Sequence, residues 1–359
     1  MPAVQAHKLS DSYLTIDLRG SENHQSSWSL RWDVSLLDLD AELSLDHNLD
    51  RQLTWGELRL HQTAIVAYLQ SRLSIESDNR LCQLQVVAYQ LEEHSDGPYL
   101  SLSFLPSCDA PKNSFLVNYQ LFFDQNPTHR GLLNLLTERD SQLYLFSPNN
   151  ARQRLSPQLE YSWLTQVKAY FPEGVWHIWI GYDHLLFLFT LILPVVARIR
   201  TAAKDQAHST VHFFIDTIKI VTAFTVAHSI TLVSTSMQWL VLPGNWVEMA
   251  IAASITVAAL HNIRPILPGS RWSIAFILGL IHGFGFANVL LDLGAEGSSF
   301  IGALLGFNLG IEFGQLWVVV GVFVLFMLLA RLSLLSQKIV PIGSSLAAVM
   351  GVYWLVQRI

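Results

Sequence analysis

The sequence predicts two parts: a water-soluble α+β or β-sandwich-like domain, then a membrane bundle of about six helices. Three observations predict it. Of the 359 residues 51% are hydrophobic and only 14% charged, against about a quarter charged in a soluble domain. The deficit is uneven: residues 1 to about 170 are rich in Asp, Glu, Ser and Gln, and the remainder is a series of long apolar runs. Within the polar half, apolar and polar residues alternate as half-buried strands do. The net charge of −6 argues against nucleic acid as a partner.

Taken in order, residues 1–6 (Met1-Pro-Ala-Val-Gln-Ala6) resemble the remnant of a signal and cleavage region, with Val4 and Ala6 at the small-residue positions. Cleavage there would leave His7 first, able to chelate a metal through its amine and imidazole, or simply exposed. Residues 7–158 then form the soluble domain. Strands are expected at 12–18, 27–36, 99–104, 115–123 and 142–146, with a helical period over 55–73. Cys82 and Cys108 flank a hairpin with strands near 84–92 and 98–105 and a turn at Ser95-Asp96-Gly97. Outside the cytoplasm they would pair as a disulfide; inside they would be buried thiols. The acidic run Asp33, Asp38, Asp40, Glu42, Asp46 and Asp50 reads as a solvated face, and His129 as a loop residue with no nameable partner. Residues 159–173, with Tyr161, Trp163 and Tyr170, read as an interfacial linker helix.

The transmembrane domain occupies 174–359. Spans are expected near 175–197, 212–235, 246–263, 272–292, 300–330 and 339–357. Arg198, Arg200 and Lys204 follow the first span, Arg264 and Arg271 separate the third and fourth, and Arg331 and Lys338 follow the fifth. Loops 236–245 and 293–299 carry no Lys or Arg. The positive-inside rule places the basic turns in the cytoplasm and the N-terminal domain outside it. A multi-pass membrane protein, with the lipid bilayer as its first partner, is the expected setting.

Ionisable groups inside a bilayer are expensive and rarely kept without use. His177, Asp183 and His184 stand at the head of the first span; at 100° per residue the two imidazoles are about two helical turns apart and project from one face, with Asp183 beside His184. A polar cap that anchors the helix is the plain reading for one His, but the three together favour a metal or proton site. Thr225, His228 and Ser229 on the second span, Glu248 and Ser254 on the third and His282 on the fourth overlap them in depth. So do Asn308, Glu312 and Gln315 on the fifth, which follow i, i+4, i+7 spacing on one helix face. The expected site is a cavity lined by Asp183, His184, His228, His282 and Glu312, with Glu248 at its mouth and Asn308 and Gln315 along a pathway.

These residues lie in motifs that resemble the HupE/UreJ family of bacterial membrane proteins. The motifs are His-x5-Asp-His (177–184), Phe-Thr-Val-Ala-His-Ser (224–229) and Val-Glu-x-Ala-Ile-Ala-x-Ser (247–254). Gly-Leu-Ile-His-Gly-Phe-Gly-Phe-Ala (279–287) and Phe-Asn-Leu-Gly-Ile-Glu-Phe-Gly-Gln (307–315) complete the set. The resemblance covers about residues 170–320 and implies a nickel or cobalt permease of the bacterial inner membrane, with His177, Asp183, His184 and His282 as metal contacts. The first reading is thus a transporter of Ni2+ or Co2+. The second is an intramembrane hydrolase holding Zn2+, with Asp183, Ser229 and Glu312 as its working groups. A third is a sensor whose outer domain binds a partner. No Walker motif or His-Glu-x-x-His occurs.

Overall fold

The computed structural model describes residues 10–19, 28–50, 52–78, 80–94, 97–111, 113–138, 140–158, 163–201, 206–240, 242–292, 297–329 and 339–358. Side chains of 196–201, 206–214, 245, 286–292, 297–298 and 326–329 are left out. The expectations for residues 1–6, His7, Ser95-Asp96, Tyr161, Lys204, Arg331 and Lys338, and for most of loop 293–299, lie outside the described residues. The chain divides into two compact units, Lys8–Gln166 with Asp292–Gly302, and Val167–Leu291 with Ala303–Ile359.

The first unit is built on two sheets. Its elements are β1 (Asp11–Asp17), β2 (Ser29–Ser35), α1 (Leu36–Leu43), α2 (Trp55–Leu60), α3 (Gln62–Arg72), β3 (Leu73–Ser77) and β4 (Arg80–Leu81). There follow β5 (Leu84–His94), β6 (Gly97–Pro106), β7 (Phe115–Tyr119), β8 (Arg130–Leu136), β9 (Ser141–Phe146) and β10 (Arg152–Leu155). One sheet has the order β5-β6-β2-β1-β8-β9 and the other β10-β7-β3-β4. Only β1–β8 is parallel; the remaining pairs are antiparallel. Strand alternation sets the core. Leu14, Trp32 and Leu102 are register partners on adjacent strands, and all three are buried.

The helical period over 55–73 is two helices. A Thr54–Glu57 capping box starts α2, and His61 separates α2 from α3. Cys82 and Cys108 are joined by a disulfide across the base of the β5–β6 hairpin, with Cα atoms 5.3 Å apart.

Two expectations about polar residues need correction here. Asp33 is not on a solvated face: it is 2% exposed and takes hydrogen bonds from Arg31 and Ser101, with His94 at 3.2 Å. Burial alone would raise the Asp33 carboxyl, but bonds from His94, Arg31 and Ser101 and the Arg31 charge hold it below its ordinary value. His129 is not a free loop ligand either, being fully buried between Ser10 and Tyr119 at 2.6 Å each. Ser10 donates to Asp38, so it accepts from His129 Nδ1–H, and Nε2 then accepts from the Tyr119 hydroxyl. Ser12 donates to Tyr119 in turn and accepts from Trp32 Nε1. The chain of protons runs one way through a neutral imidazole.

The second unit is helical: α4 (Trp163–Ile180) from Val167 on, α5 (Tyr182–Thr201), α6 (Gln206–Ser236), α7 (Gly244–Ile263), α8 (Arg271–Asp292) as far as Leu291, α9 (Gly297–Leu329) from Ala303 on and α10 (Ile339–Gln357). Among the described residues four stretches are long and apolar enough to cross a membrane: Ile215–Ser236, Trp246–Ile263, Ser299–Leu325 and Ile339–Gln357. A fifth is a bent pair, Trp163–Ile180 with Tyr182–Val195, broken by 73°. Of the about six spans expected, four and one broken pair are thus found among the described residues, and α8, at the expected fourth span, is not among them.

The first expected span also differs in form. Its helix starts at Trp163, absorbs the described part of the expected linker and ends at Ile180, and a second helix begins at Tyr182. Gly181 lies at the break. A β-carbon there would stand 2.7 Å from the His177 carbonyl oxygen and 2.9 Å from His184 Nδ1. Asp183, in the first turn of α5, accepts from the His184 backbone N–H at 2.9 Å and so satisfies a helix-start donor.

Glycines set the helix pairs. On α9, Gly302, Gly306, Gly310 and Gly314 recur every four residues against the backbone of α4. A β-carbon on Gly306 would meet the Val167 carbonyl oxygen at 2.5 Å. Gly279 and Gly283 of α8 pack likewise on the Phe224 and His228 carbonyls of α6. Antiparallel to α7, α10 places Gly351 at Thr256 and ties its end to Glu248 through Arg358.

Candidate metal centre

The break at Gly181 makes His184 the hub of a cluster. Its ring lies 4.7 Å from His177 of α4, 5.3 Å from His282 of α8 and 6.3 Å from His228 of α6, centroid to centroid. Each contact is edge-to-face, with interplanar angles of 66°, 73° and 71°. His184, His228 and His282 are buried, and His177 and Asp183 are half-buried. Phe187, Phe224 and Phe307 pack around these rings, with Phe187 4.6 Å from His282 and Phe307 5.3 Å from His177. The two histidines expected on one face of one helix do meet, but across a bend.

Hydrogen bonding orients two of the rings. A carboxylate only accepts, so the 3.0 Å contact between Asp183 Oδ1 and His184 Nδ1 makes Nδ1 an N–H, and on a neutral ring the lone pair is then at Nε2. That Nε2 is buried without a hydrogen-bond partner. On α7, Ser254 contacts His282 Nε2 at 3.0 Å while donating to the Ile251 carbonyl at 2.7 Å. Both nitrogens of His228 and Nδ1 of His282 have no hydrogen-bond partner.

The other expected site residues make hydrogen bonds of their own. Glu312 accepts from Thr222 of α6 at 2.8 Å, and Gln315 from Thr225 at 3.2 Å. These contacts lie on the stretch of α6 that precedes His228. Asn308 donates to the Leu304 carbonyl, and its Oδ1 has no hydrogen-bond partner. Ser229 donates to the Thr225 carbonyl. Glu248, exposed at the start of α7, is paired with Arg358 at 3.3 Å. Sequence reasoning set Thr225 and Ser254 at the depth of the site without giving them a role, and did not name Thr222. Their signal was their position in or beside the motif stretches 224–229 and 247–254, one polar side chain per helical turn.

Among the described residues no three His, Cys, Asp or Glu side chains form a group able to hold a metal ion as they stand. The rings meet by edge and face, not with nitrogens aimed at one centre. What the cluster offers is imidazole nitrogens and one carboxylate at close quarters, donor types that suit a borderline divalent cation.

A family model described as HupE / UreJ protein matches residues 153–358, more than half of the chain. No curated protein matches the chain. The chain belongs to the HupE/UreJ family.

Proposed function

We propose that this HupE/UreJ protein binds a divalent transition metal ion, Ni2+ or Co2+, in the His184-centred cluster and carries it across the membrane. One observation carries the reading: imidazole nitrogens of His184, His228 and His282 are buried together with no hydrogen-bond partner among the described residues. Each such group costs about 1–3 kcal/mol if left unsatisfied. A cation that takes their lone pairs removes the cost. Asp183 adds negative charge beside His184 and holds the ring that donates, as carboxylates behind metal-binding histidines do. The absence of Cys from the membrane half disfavours Cu+.

The remaining polar groups supply a route. Gln315 with Thr225 and Glu312 with Thr222 place oxygen donors along α6, one and then two turns before His228. Asn308 lies a turn before Glu312 on α9. A broken helix at the binding level is also how many transporters expose helix ends to an ion. The loop charges orient the bundle with its N-terminal domain outside the cytoplasm of a bacterial inner membrane.

The test is uptake of Ni2+ into proteoliposomes holding the purified chain and a trapped nickel-sensitive dye. The wild type takes up Ni2+, and His184→Ala with His282→Ala slows uptake at least tenfold. Equal uptake by both proteins overturns the proposal. Metal that binds without crossing, together with zinc-dependent hydrolysis lost in Asp183→Ala and Glu312→Ala, replaces it with the hydrolase reading.

A further inference from the structure

Ser254 lies in the middle of α7 and is 3% exposed. Its hydroxyl has one proton, and a carbonyl oxygen can only accept. The 2.7 Å contact with the Ile251 carbonyl therefore takes that proton. What remains on Oγ is lone pairs, so the 3.0 Å contact with His282 Nε2 is made by the imidazole as donor. A neutral imidazole has one N–H. With it on Nε2, the buried Nδ1 of His282 is left as a lone pair with no hydrogen-bond partner. The opposite tautomer would set two lone pairs against each other at Ser254, and because Nδ1 is unsatisfied in either tautomer, the Ser254 end decides between them.

We propose that Ser254 is a positioning residue that fixes His282 as the Nε2–H tautomer and so selects Nδ1 as its electron-pair donor. The inference rests on the reading of the cluster as a cation site. It gives α7, which supplies no ligand of its own, a part in that site. It also completes a pattern: Asp183 fixes His184 by Nδ1 and exposes Nε2, while Ser254 fixes His282 by Nε2 and exposes Nδ1. The two neighbouring rings, 5.3 Å apart, are thus locked in opposite tautomers. A protein that must rotate neutral rings onto a cation gains from this, because the donor atom is chosen before the cation arrives.

The experiment uses the full chain in lipid nanodiscs with 13C,15N-labelled histidine, free of metal at about pH 8, where free imidazoles are neutral. The His282 signal is assigned by its loss in His282→Gln. The expected spectrum shows His282 as the Nε2–H tautomer in the wild type and in Ser254→Thr, and a mixture of tautomers in Ser254→Ala. An Nδ1–H tautomer in the wild type, or an unchanged Nε2–H tautomer in Ser254→Ala, overturns the proposal. In a second arm, Ni2+ affinity falls about 10–100-fold in Ser254→Ala, the scale for losing a partner behind a metal-binding histidine, and recovers in Ser254→Thr. A wild type that binds no Ni2+ removes the metal reading of the cluster, and the spectra still decide the tautomer.

Discussion

Gly181 is where one residue bears most on the site. A methyl group there would press on the His177 carbonyl and on His184 Nδ1, with Asp183 Oδ1 also within 3.2 Å. Overpacking of this kind costs about 1–3 kcal/mol. Gly181→Ala is therefore expected to lower the thermal stability of the membrane unit modestly and to weaken Ni2+ binding at least tenfold, because the Asp183–His184 bond must shift. Isothermal titration beside a melting curve checks both. His129 gives a residue-scale test in the outer domain. Burial, with the Arg130 charge adding to it, pushes its imidazole down to about 3 from an ordinary 6.5. The folded state refuses a proton that the unfolded state accepts. The contribution is thus whole above pH 6.5 and is lost as pH falls toward 3. The melting temperature of the wild type should fall more steeply over that window than that of His129→Gln; parallel slopes would contradict the buried neutral ring.

Elements explain why some of this was legible in the sequence and some was not. The β5–β6 hairpin was readable because period-two alternation and a Gly-containing turn are local signals. Strands β3, β8 and β10 were not, since they are short or apolar on both faces and are defined by partners far along the chain. Asp33 looked solvated because a sequence shows charge but not the Arg31, His94 and Ser101 that surround it. In the membrane half, hydropathy located the helices but could not see the 73° break, because a bend leaves the apolar count unchanged. The glycines of α9 were visible as small residues, but only the fold shows them four apart against α4. Gly306→Leu should separate that pair and destabilise the unit, whereas Gly321→Leu, on the same helix with open space about it, should not. Unfolding of both variants in detergent is the measurement; equal loss would contradict the packing account.

At the scale of the whole molecule, a disulfide-bonded domain of two sheets precedes a set of helices that, among the described residues, bury His184, His228 and His282, and the orientation proposed from the loop charges can be tested on the disulfide. A membrane-impermeant maleimide should label Cys82 and Cys108 in intact cells after mild reduction; labelling only after lysis would reverse the orientation. The central claim is that the histidine cluster is a divalent metal site. The most direct measurement is X-ray absorption at the nickel edge of the full chain loaded with one equivalent of Ni2+. The account predicts scattering from at least two imidazoles, lost when His184 and His282 are both replaced by Ala. A first shell of water oxygens alone, or an imidazole signal unchanged in the double variant, would contradict it.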